Sequence, residues 1–210
     1  MLTERDLCRS SPAFLARKAE GPRWVPARHH AVLSEVCVDV AYGRLDRVTV
    51  AMPPQNGKST IIAKAFPAWW LGRFEGEVIY ATYQGDLAAS WGRKARDLLE
   101  EVGPSLFGVT VAQDSRNSAW WTVRDVRTGR ARGSMKCAGI DGSLTGKGAD
   151  LFLLDDPYKG PKQANSRAYR AEVEEFYAAV AHTRLSEKGA VIICHTRWNE
   201  EDLIGTKQRE

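Results

Sequence analysis

Arg47-Val-Thr-Val-Ala-Met-Pro-Pro-Gln-Asn-Gly-Lys-Ser-Thr60 is the stretch of sequence that decides the fold. Its β-branched start predicts a short buried strand over 47–51. A helix is predicted over 58–71, and Gly72 would stop it. Between the two lies a turn in which Gly57 permits a close approach of the backbone to a ligand. A strand, a turn and a helix in this order predict a loop that binds phosphate groups.

The polar residues of this loop have defined roles in such a site. Lys58 would bring a positive charge to the β- and γ-phosphates of a nucleotide, and the N-terminus of the helix would add its dipole. Ser59 would place a hydroxyl where Mg²⁺ lies between those phosphates. Met52 stands where the usual Gly-x-x-x-x-Gly-Lys-Ser/Thr pattern has its first glycine. The residues predicted to bind the nucleotide are Pro54, Gln55, Asn56, Gly57, Lys58, Ser59 and Thr60.

A second candidate site follows at Leu151-Phe-Leu-Leu-Asp-Asp156. A strand predicted over 149–154 is apolar on both faces and cannot bury two charges. The two carboxylates must therefore emerge at its C-terminal edge, where ligands bind in open α/β sheets. Asp155 suits Mg²⁺ binding, and Asp156 could polarise a water for attack on the γ-phosphate. ATP and Mg²⁺ are thus the predicted ligands.

Strands and helices alternate along the rest of the chain. Further strands are predicted over 77–82, 119–124, 131–138 and 190–194, and further helices near the N-terminus, over 27–42, 87–102 and 165–182, and from Asn199 onward. Thr128-Gly129 lies between two of these strands, which predicts a hairpin. The pattern as a whole predicts an α/β fold: a mostly parallel sheet with helices on both faces and a β-hairpin insertion.

Apolar spacing predicts which side chains are buried. The two tryptophan pairs, at 69–70 and 120–121, are expected to pack in the core or at a subunit interface. The positions predicted to be buried are Val32, Leu33, Val36 and Val40 in helix 27–42, and Tyr169, Val173, Phe176, Tyr177 and Val180 in helix 165–182.

Composition narrows the class of protein. The 210 residues are 43% hydrophobic and 27% charged, which is typical of a folded globular chain. No stretch approaches the roughly 18 apolar residues that span a bilayer, and the N-terminus lacks a signal-peptide core, so we expect a cytoplasmic protein with no membrane partner. The net charge of +4 permits a polyanionic partner without requiring one. The scattered cysteines, predicted to be reduced and mostly buried, are Cys8, Cys37, Cys137 and Cys194.

Taken together, these residues resemble the ATPase domain of the large terminase subunit, the motor that packages DNA into tailed-bacteriophage and herpesvirus-type capsids. Segments 52–59 and 142–157 are similar to its Walker A and Walker B regions. Segments 26–30, 80–88, 183–185 and 195–203 extend the resemblance through most of the chain. It implies a P-loop NTPase fold of the ASCE or RecA-like type, with an N-terminal helical segment over 1–45 and an ATPase core over 46–210.

The resemblance also implies a function. Subunits of this family form a homo-oligomeric ring that hydrolyses ATP to move double-stranded DNA into a procapsid, with a portal protein and a small terminase subunit as partners, in the host cytoplasm. Thr196 would belong to the coupling segment. A basic residue of a neighbouring subunit would complete each site, and the candidates are Lys147, Arg132 and Arg197. DNA would be held through its backbone, because packaging must accept any sequence.

Two features depart from the family pattern. Asp156 stands where the second Walker B acid is commonly Glu, so its reach is one methylene shorter. The family's C-terminal nuclease domain has no counterpart in this sequence, and no nuclease activity is expected. Two other functions stay open: a different P-loop enzyme, either helicase-like or a small-molecule kinase, and a nucleotide- or DNA-binding module without turnover. DNA-stimulated ATPase activity would separate them.

Overall fold

The computed structural model describes residues 2–142, 144 and 148–209. Its strands are β1 (Arg47–Ala51), β2 (Gly76–Thr82), β3 (Val109–Arg116), β4 (Trp120–Asp125), β5 (Ala131–Gly139), β6 (Ala149–Asp155) and β7 (Leu185–His195). Its α-helices are α1 (Glu4–Ser10), α2 (Pro12–Glu20), α3 (Arg28–Ala41), α4 (Phe66–Arg73), α5 (Gly85–Leu106), α6 (Pro161–Asn165), α7 (Arg167–Thr183) and α8 (Leu203–Lys207). A π-helical segment, Thr60–Ala65, leads directly into α4.

The strands form one sheet in the order β1-β7-β6-β2-β5-β4-β3. The five parallel strands are β1, β7, β6, β2 and β5. At one edge of the sheet, β4 pairs antiparallel with β5, and β3 pairs antiparallel with β4. The predicted α/β fold with a mostly parallel sheet is confirmed. Since parallel strands end at the same edge, the loops after β1, β6 and β7 lie next to one another.

The predicted hairpin is confirmed, because β4 and β5 pair in antiparallel register. The sequence prediction missed β3, which pairs with the outer edge of β4. The apolar and buried residues of β3 are Val109, Val111 and Ala112 in its first half, and Gln113 and Asp114 after them are exposed. A strand with half an apolar pattern at a sheet edge gives little signal in the sequence.

Helices cover both faces of the sheet, as predicted. The helices from α1 to α5 and the π-helical segment pack on one face, in a core that includes Trp69, Leu99 and Trp121. The helices α6, α7 and α8 pack on the other face around Phe152 and Tyr177. In the described residues, no helix combines the length and the apolar character needed to cross a membrane.

The predicted burial of α7 is confirmed: Val173, Tyr177 and Val180 are buried, and the two remaining aromatic residues of the stripe pack partly buried against the same core. The prediction for α3 was wrong at Val32, which is 53% exposed. Polar residues occupy part of the buried face of α3 instead, because Ser34 is buried and its hydroxyl accepts a hydrogen bond from the Ala13 amide.

Two further local predictions need correction. The strand β1 lies at the edge of the sheet and is only half-buried. Gly72 does not stop α4, and a Cβ there would instead collide with the ring of Phe107. Trp69, Trp70 and Trp121 are buried as predicted. Trp120 is 44% exposed, so a place at a subunit interface stays a prediction for it. The cysteines are free, and three of them are buried.

Candidate functional site

The loops after β1, β6 and β7 meet at the C-terminal end of the parallel strands. The register pairs Ala51 with His195 and Asp155 with Cys194, so the three strand ends lie side by side. The helix that begins at Lys58 starts at the same place. The two candidate sites of the sequence are therefore parts of one site.

The loop between β1 and this helix turns through two residues with positive φ. Gln55 has a φ of 60° and Gly57 a φ of 72°. The Asn56 side-chain amide donates to the Pro54 carbonyl at 3.0 Å, which closes the turn between them. A Cβ on Gly57 would also collide with the imidazole of His30, so glycine is needed here for both its conformation and its size.

Lys58 is a buried cation with a carboxylate partner. It is only 5% exposed, and its Nζ lies 2.5 Å from Oδ2 of Asp156. Burial of a charged ammonium is costly unless the charge is paired. The ion pair joins the first candidate segment directly to the second.

Asp155 is buried at the end of β6 and is 2% exposed. The Tyr80 hydroxyl donates to its Oδ2 at 3.2 Å, and Oδ1 has no hydrogen-bond partner among the described residues. Burial, followed by the charge of Asp156, raises the pKa of Asp155 to about 7, although hydrogen bonds from Ser59 and Tyr80 act in the opposite direction. A desolvated carboxylate with an unused oxygen beside a serine hydroxyl suits a hard cation.

Asp156 has an uncommon backbone conformation, with a φ of 43°. Its amide donates to the Cys194 carbonyl at 2.9 Å, and its Oδ1 accepts from the Thr196 amide at 3.2 Å. Left-handed conformations of residues other than glycine are costly and concentrate at functional sites. The carboxylate is thereby fixed between β7 and Lys58.

Thr196 follows β7 and connects the two halves of the site. Its hydroxyl donates to the Met52 carbonyl at 3.1 Å, in addition to the contact of its amide with Asp156. The side chain is buried, because Thr196 as a whole is 8% exposed. Thr196 therefore links the loop after β1 to the end of β7 and to Asp156.

Two of the remaining candidates, Arg132 and Arg197, do not join this cluster. Arg132 lies at the opposite end of the sheet, near the start of β5, where its Nε is 3.6 Å from Glu75. The Arg197 guanidinium pairs with the buried Asp202 at 2.8 Å, beside α8. Lys147 lies outside the described residues. A role of Arg132 or Lys147 in a neighbouring subunit's site stays a prediction.

Three residues contribute that the sequence prediction did not place at the site. Tyr80 contacts Asp155, and His30 contacts the loop at Asn56. His195 is 1% exposed and bridges the Thr196 carbonyl and the Ile204 amide through its two ring nitrogens. Burial lowers the pKa of His195, so the ring is a neutral link to α8. Polar residues inside or directly after predicted strands were the available signal for Tyr80 and His195.

Similarity to known proteins extends over much of the chain. The family profile described as "Terminase large subunit, T4likevirus-type, N-terminal" matches residues 50–174. No curated protein sequence matches the chain.

Two solved structures are similar in fold. The large terminase of bacteriophage HK97 has a TM-score of 0.55 and 16% sequence identity over 84% of this chain. The large terminase ATPase domain of Thermus phage P74-26 has a TM-score of 0.52 and 17% identity over 71% of this chain. The chain spans 36% of the first of these proteins and 58% of the second.

Proposed function

Because this chain belongs to the terminase large subunit family, we propose that it is an ATPase that hydrolyses ATP to move double-stranded DNA into a viral procapsid. One observation carries the proposal: Lys58 of the phosphate loop and Asp156 after β6 form an ion pair of 2.5 Å at the ligand-binding end of the sheet. The triphosphate would lie against the loop 54–60, whose backbone turns at Gln55 and Gly57.

Nucleotide binding would change the partner of Lys58. Its ammonium is paired with the Asp156 carboxylate. The β- and γ-phosphates would take over this cation, as the lysine of phosphate loops does. Asp156 would then be free to orient a water molecule toward the γ-phosphate, while its other oxygen stays bonded to the Thr196 amide. The exchange would make the carboxylate available only when ATP is bound.

Ser59 and Asp155 would hold the magnesium ion that accompanies ATP. The fit is chemical, since both offer oxygen ligands and one oxygen of Asp155 is buried without a hydrogen-bond partner among the described residues. No group of three or more His, Cys, Asp or Glu side chains suited to a metal occurs in the described part of the chain. Phosphate oxygens and water would therefore complete the ligand set. When bound, the ion would neutralise charge on the phosphates.

Thr196 would pass the state of the nucleotide to the rest of the domain. Its hydroxyl bonds to Met52, at the start of the phosphate loop, and its amide to Asp156. His195 links the same segment to α8. A displacement of the loop or of Asp156 on phosphate release would thus move the end of β7 and α8 together.

The partners belong to the same proposal. A homo-oligomeric ring would hold DNA through its phosphates, and a portal protein and a small terminase subunit would complete the motor at the procapsid in the host cytoplasm. A basic residue from an adjacent subunit, Lys147 or Arg132, would enter the site and stabilise charge in the transition state, an effect that can be worth about 10³–10⁵ in rate.

Phosphate release with and without double-stranded DNA tests the proposal. We expect DNA to stimulate ATP hydrolysis by the wild type, and both Lys58→Ala and Asp156→Asn to reduce the rate by at least about 10²-fold. Asn suits position 156 because it tolerates positive φ better than Ala. Lys159→Ala removes an exposed lysine three residues after Asp156 and should leave the rate unchanged. Equal rates in all four proteins would contradict the proposal.

A further inference from the structure

His30 connects the start of α3 to the phosphate loop through the two nitrogens of its ring. Its Nδ1 accepts a hydrogen bond from the Ala27 amide at 3.0 Å. Its Nε2 lies 2.8 Å from the carbonyl oxygen of Asn56. Because Nδ1 accepts, the proton of a neutral ring must be on Nε2, which therefore donates to Asn56. One imidazole thus joins two main-chain segments that are far apart in the sequence.

The surroundings keep this ring in place. His30 is 7% exposed, and the ring of Trp24 lies 4.9 Å from it, between centroids. Ala27 offers no side-chain cap for α3, so the contact from His30 also satisfies a free amide at the helix start. His29 lies at the surface, and its Nε2 is 3.1 Å from Nε2 of His30 and 3.2 Å from the same Asn56 oxygen.

The contact fixes the direction of a peptide group in the phosphate loop. The carbonyl of Asn56 and the amide of Gly57 belong to one planar trans peptide and point in opposite directions. Since the carbonyl points to His30, the Gly57 N–H points away from it, to the other side of the loop. Gly57 also leaves the space that His30 fills, because a Cβ there would collide with Nε2.

We propose that His30 is a positioning residue for nucleotide binding: its Nε2–H holds the Asn56 carbonyl outward, so that the Gly57 amide is directed at the phosphates before they arrive. The inference rests on the proposed function, because it assigns His30 to the same phosphate site. It predicts that loss of the contact with Asn56 weakens phosphate binding more than it lowers the free energy of unfolding. The reason is that preorganisation of a loop lowers the cost of binding.

Two substitutions separate the two hydrogen bonds of His30. The side-chain oxygen of His30→Asn can take the position of Nδ1 and keep the bond to Ala27, but it cannot reach Asn56. The amide nitrogen of His30→Gln can reach the position of Nε2 and keep the bond to Asn56. His182→Asn, at an exposed site near the end of α7, is the matched control.

The experiment measures the affinity of the full chain for a fluorescent ADP analogue, and for pyrophosphate by displacement of that analogue, together with the melting temperature. We expect His30→Asn to weaken both affinities by about fivefold, the effect of one lost hydrogen bond. His30→Gln should restore them to within about twofold of the wild type, and His182→Asn should change nothing. Unchanged affinity in His30→Asn, or an equal loss in His30→Gln, would overturn the inference.

A measurement on the wild type keeps the test independent of how the variants fold. Long-range ¹H–¹⁵N spectra should show His30 as the Nε2–H tautomer, and its signals should shift when ADP is added. An Nδ1–H tautomer, or no shift at saturating ADP, would overturn the inference. Failure of the wild type to bind ADP or pyrophosphate would contradict the proposed function itself, so the two failures are distinguishable.

Discussion

The two ends of the central sheet carry the same kinds of charged residues in opposite surroundings. At the C-terminal end, Lys58 is 5% and Asp155 is 2% exposed. At the N-terminal end, the side chains of Arg130 and Glu75 form an ion pair in which they are 64% and 48% exposed. Lys58 and Asp155 at the C-terminal end are thus buried, whereas the ion pair at the N-terminal end is exposed to solvent.

This difference in burial distinguishes a candidate functional site from an ordinary protein surface. An exposed ion pair is screened by water and adds little to stability. At the other end, a buried cation and a buried acid lie beside a second acid, Asp156, whose side chain is 29% exposed. Such a group is costly to assemble and is poor evidence of a stabilising role. Its place at the ligand-binding end of a parallel sheet, beside a loop with two positive φ angles, indicates that the cost serves chemistry. Substitutions at the two ends should therefore have different consequences.

The largest expected effect is that of Asp155→Asn. We expect ATP hydrolysis to fall by at least about 10²-fold, because the neutral amide is a poor ligand for a hard cation. In the absence of magnesium the same change should stabilise the chain by at least about 1 kcal/mol, or about 2–4 °C in melting temperature. It removes a buried charge that lies beside a second acid. Glu75→Gln, at the exposed end, should change neither quantity.

The stability gain of Asp155→Asn should depend on pH. Burial raises the pKa of Asp155 from 3.8 to about 7, so between these values the folded wild type holds a proton that the unfolded chain has released. The free energy of unfolding of the wild type therefore falls as pH rises through this window. The gain in free energy of unfolding from Asp155→Asn should be absent near pH 3.8 and complete above about pH 7. Thermal melts in EDTA across this range measure it, and a gain that does not vary with pH would contradict the assigned cause.

A smaller effect is expected for Thr196→Val. The change removes the hydrogen bond from the hydroxyl to Met52 but keeps the amide bond to Asp156. We expect kcat to fall by about three- to tenfold, with ADP affinity little changed, because one hydrogen bond contributes about 0.5–1.5 kcal/mol. Thr183→Val is the matched control, since that hydroxyl also donates to a main-chain carbonyl but is exposed. Equal kcat values in the two variants would exclude a coupling role for Thr196.

The smallest effect is expected for the ADP affinity of Arg132→Ala in the monomer. Arg132 lies at the N-terminal end of the sheet, beside Glu75 and the Arg73 carbonyl, at the opposite end from the candidate site of its own chain. ADP affinity should therefore stay within about twofold of the wild type. Hydrolysis measured against protein concentration separates the two possible roles. A loss of hydrolysis rate that grows with protein concentration would place Arg132 in the site of a neighbouring subunit. An equal loss of rate at all protein concentrations would contradict the position of Arg132 away from the site of its own chain.

The sequence predicted the placement of Lys58 beside the acids at 155–156 better than it predicted the edges of the fold. A phosphate loop and paired acids at strand ends follow local patterns, and the parallel sheet then brings them together. The strand β3 and the face of α3 at Val32 depend on long-range packing, which local periodicity does not contain. His30 could not be assigned from sequence, because its contact with Asn56 depends on how α3 docks against the loop.

The central claim is that Lys58 and Asp155 belong to one magnesium–nucleotide site, and the effect of magnesium on ADP affinity tests it most directly. Titrations of the wild type, Asp155→Asn and Lys58→Ala with a fluorescent ADP analogue, each with and without magnesium, provide the measurement. We expect magnesium to tighten ADP binding by the wild type and to leave the ADP affinity of Asp155→Asn unchanged. Lys58→Ala should bind ADP weakly with and without magnesium. Magnesium-enhanced binding that persists in Asp155→Asn, or unchanged affinity in Lys58→Ala, would contradict the account.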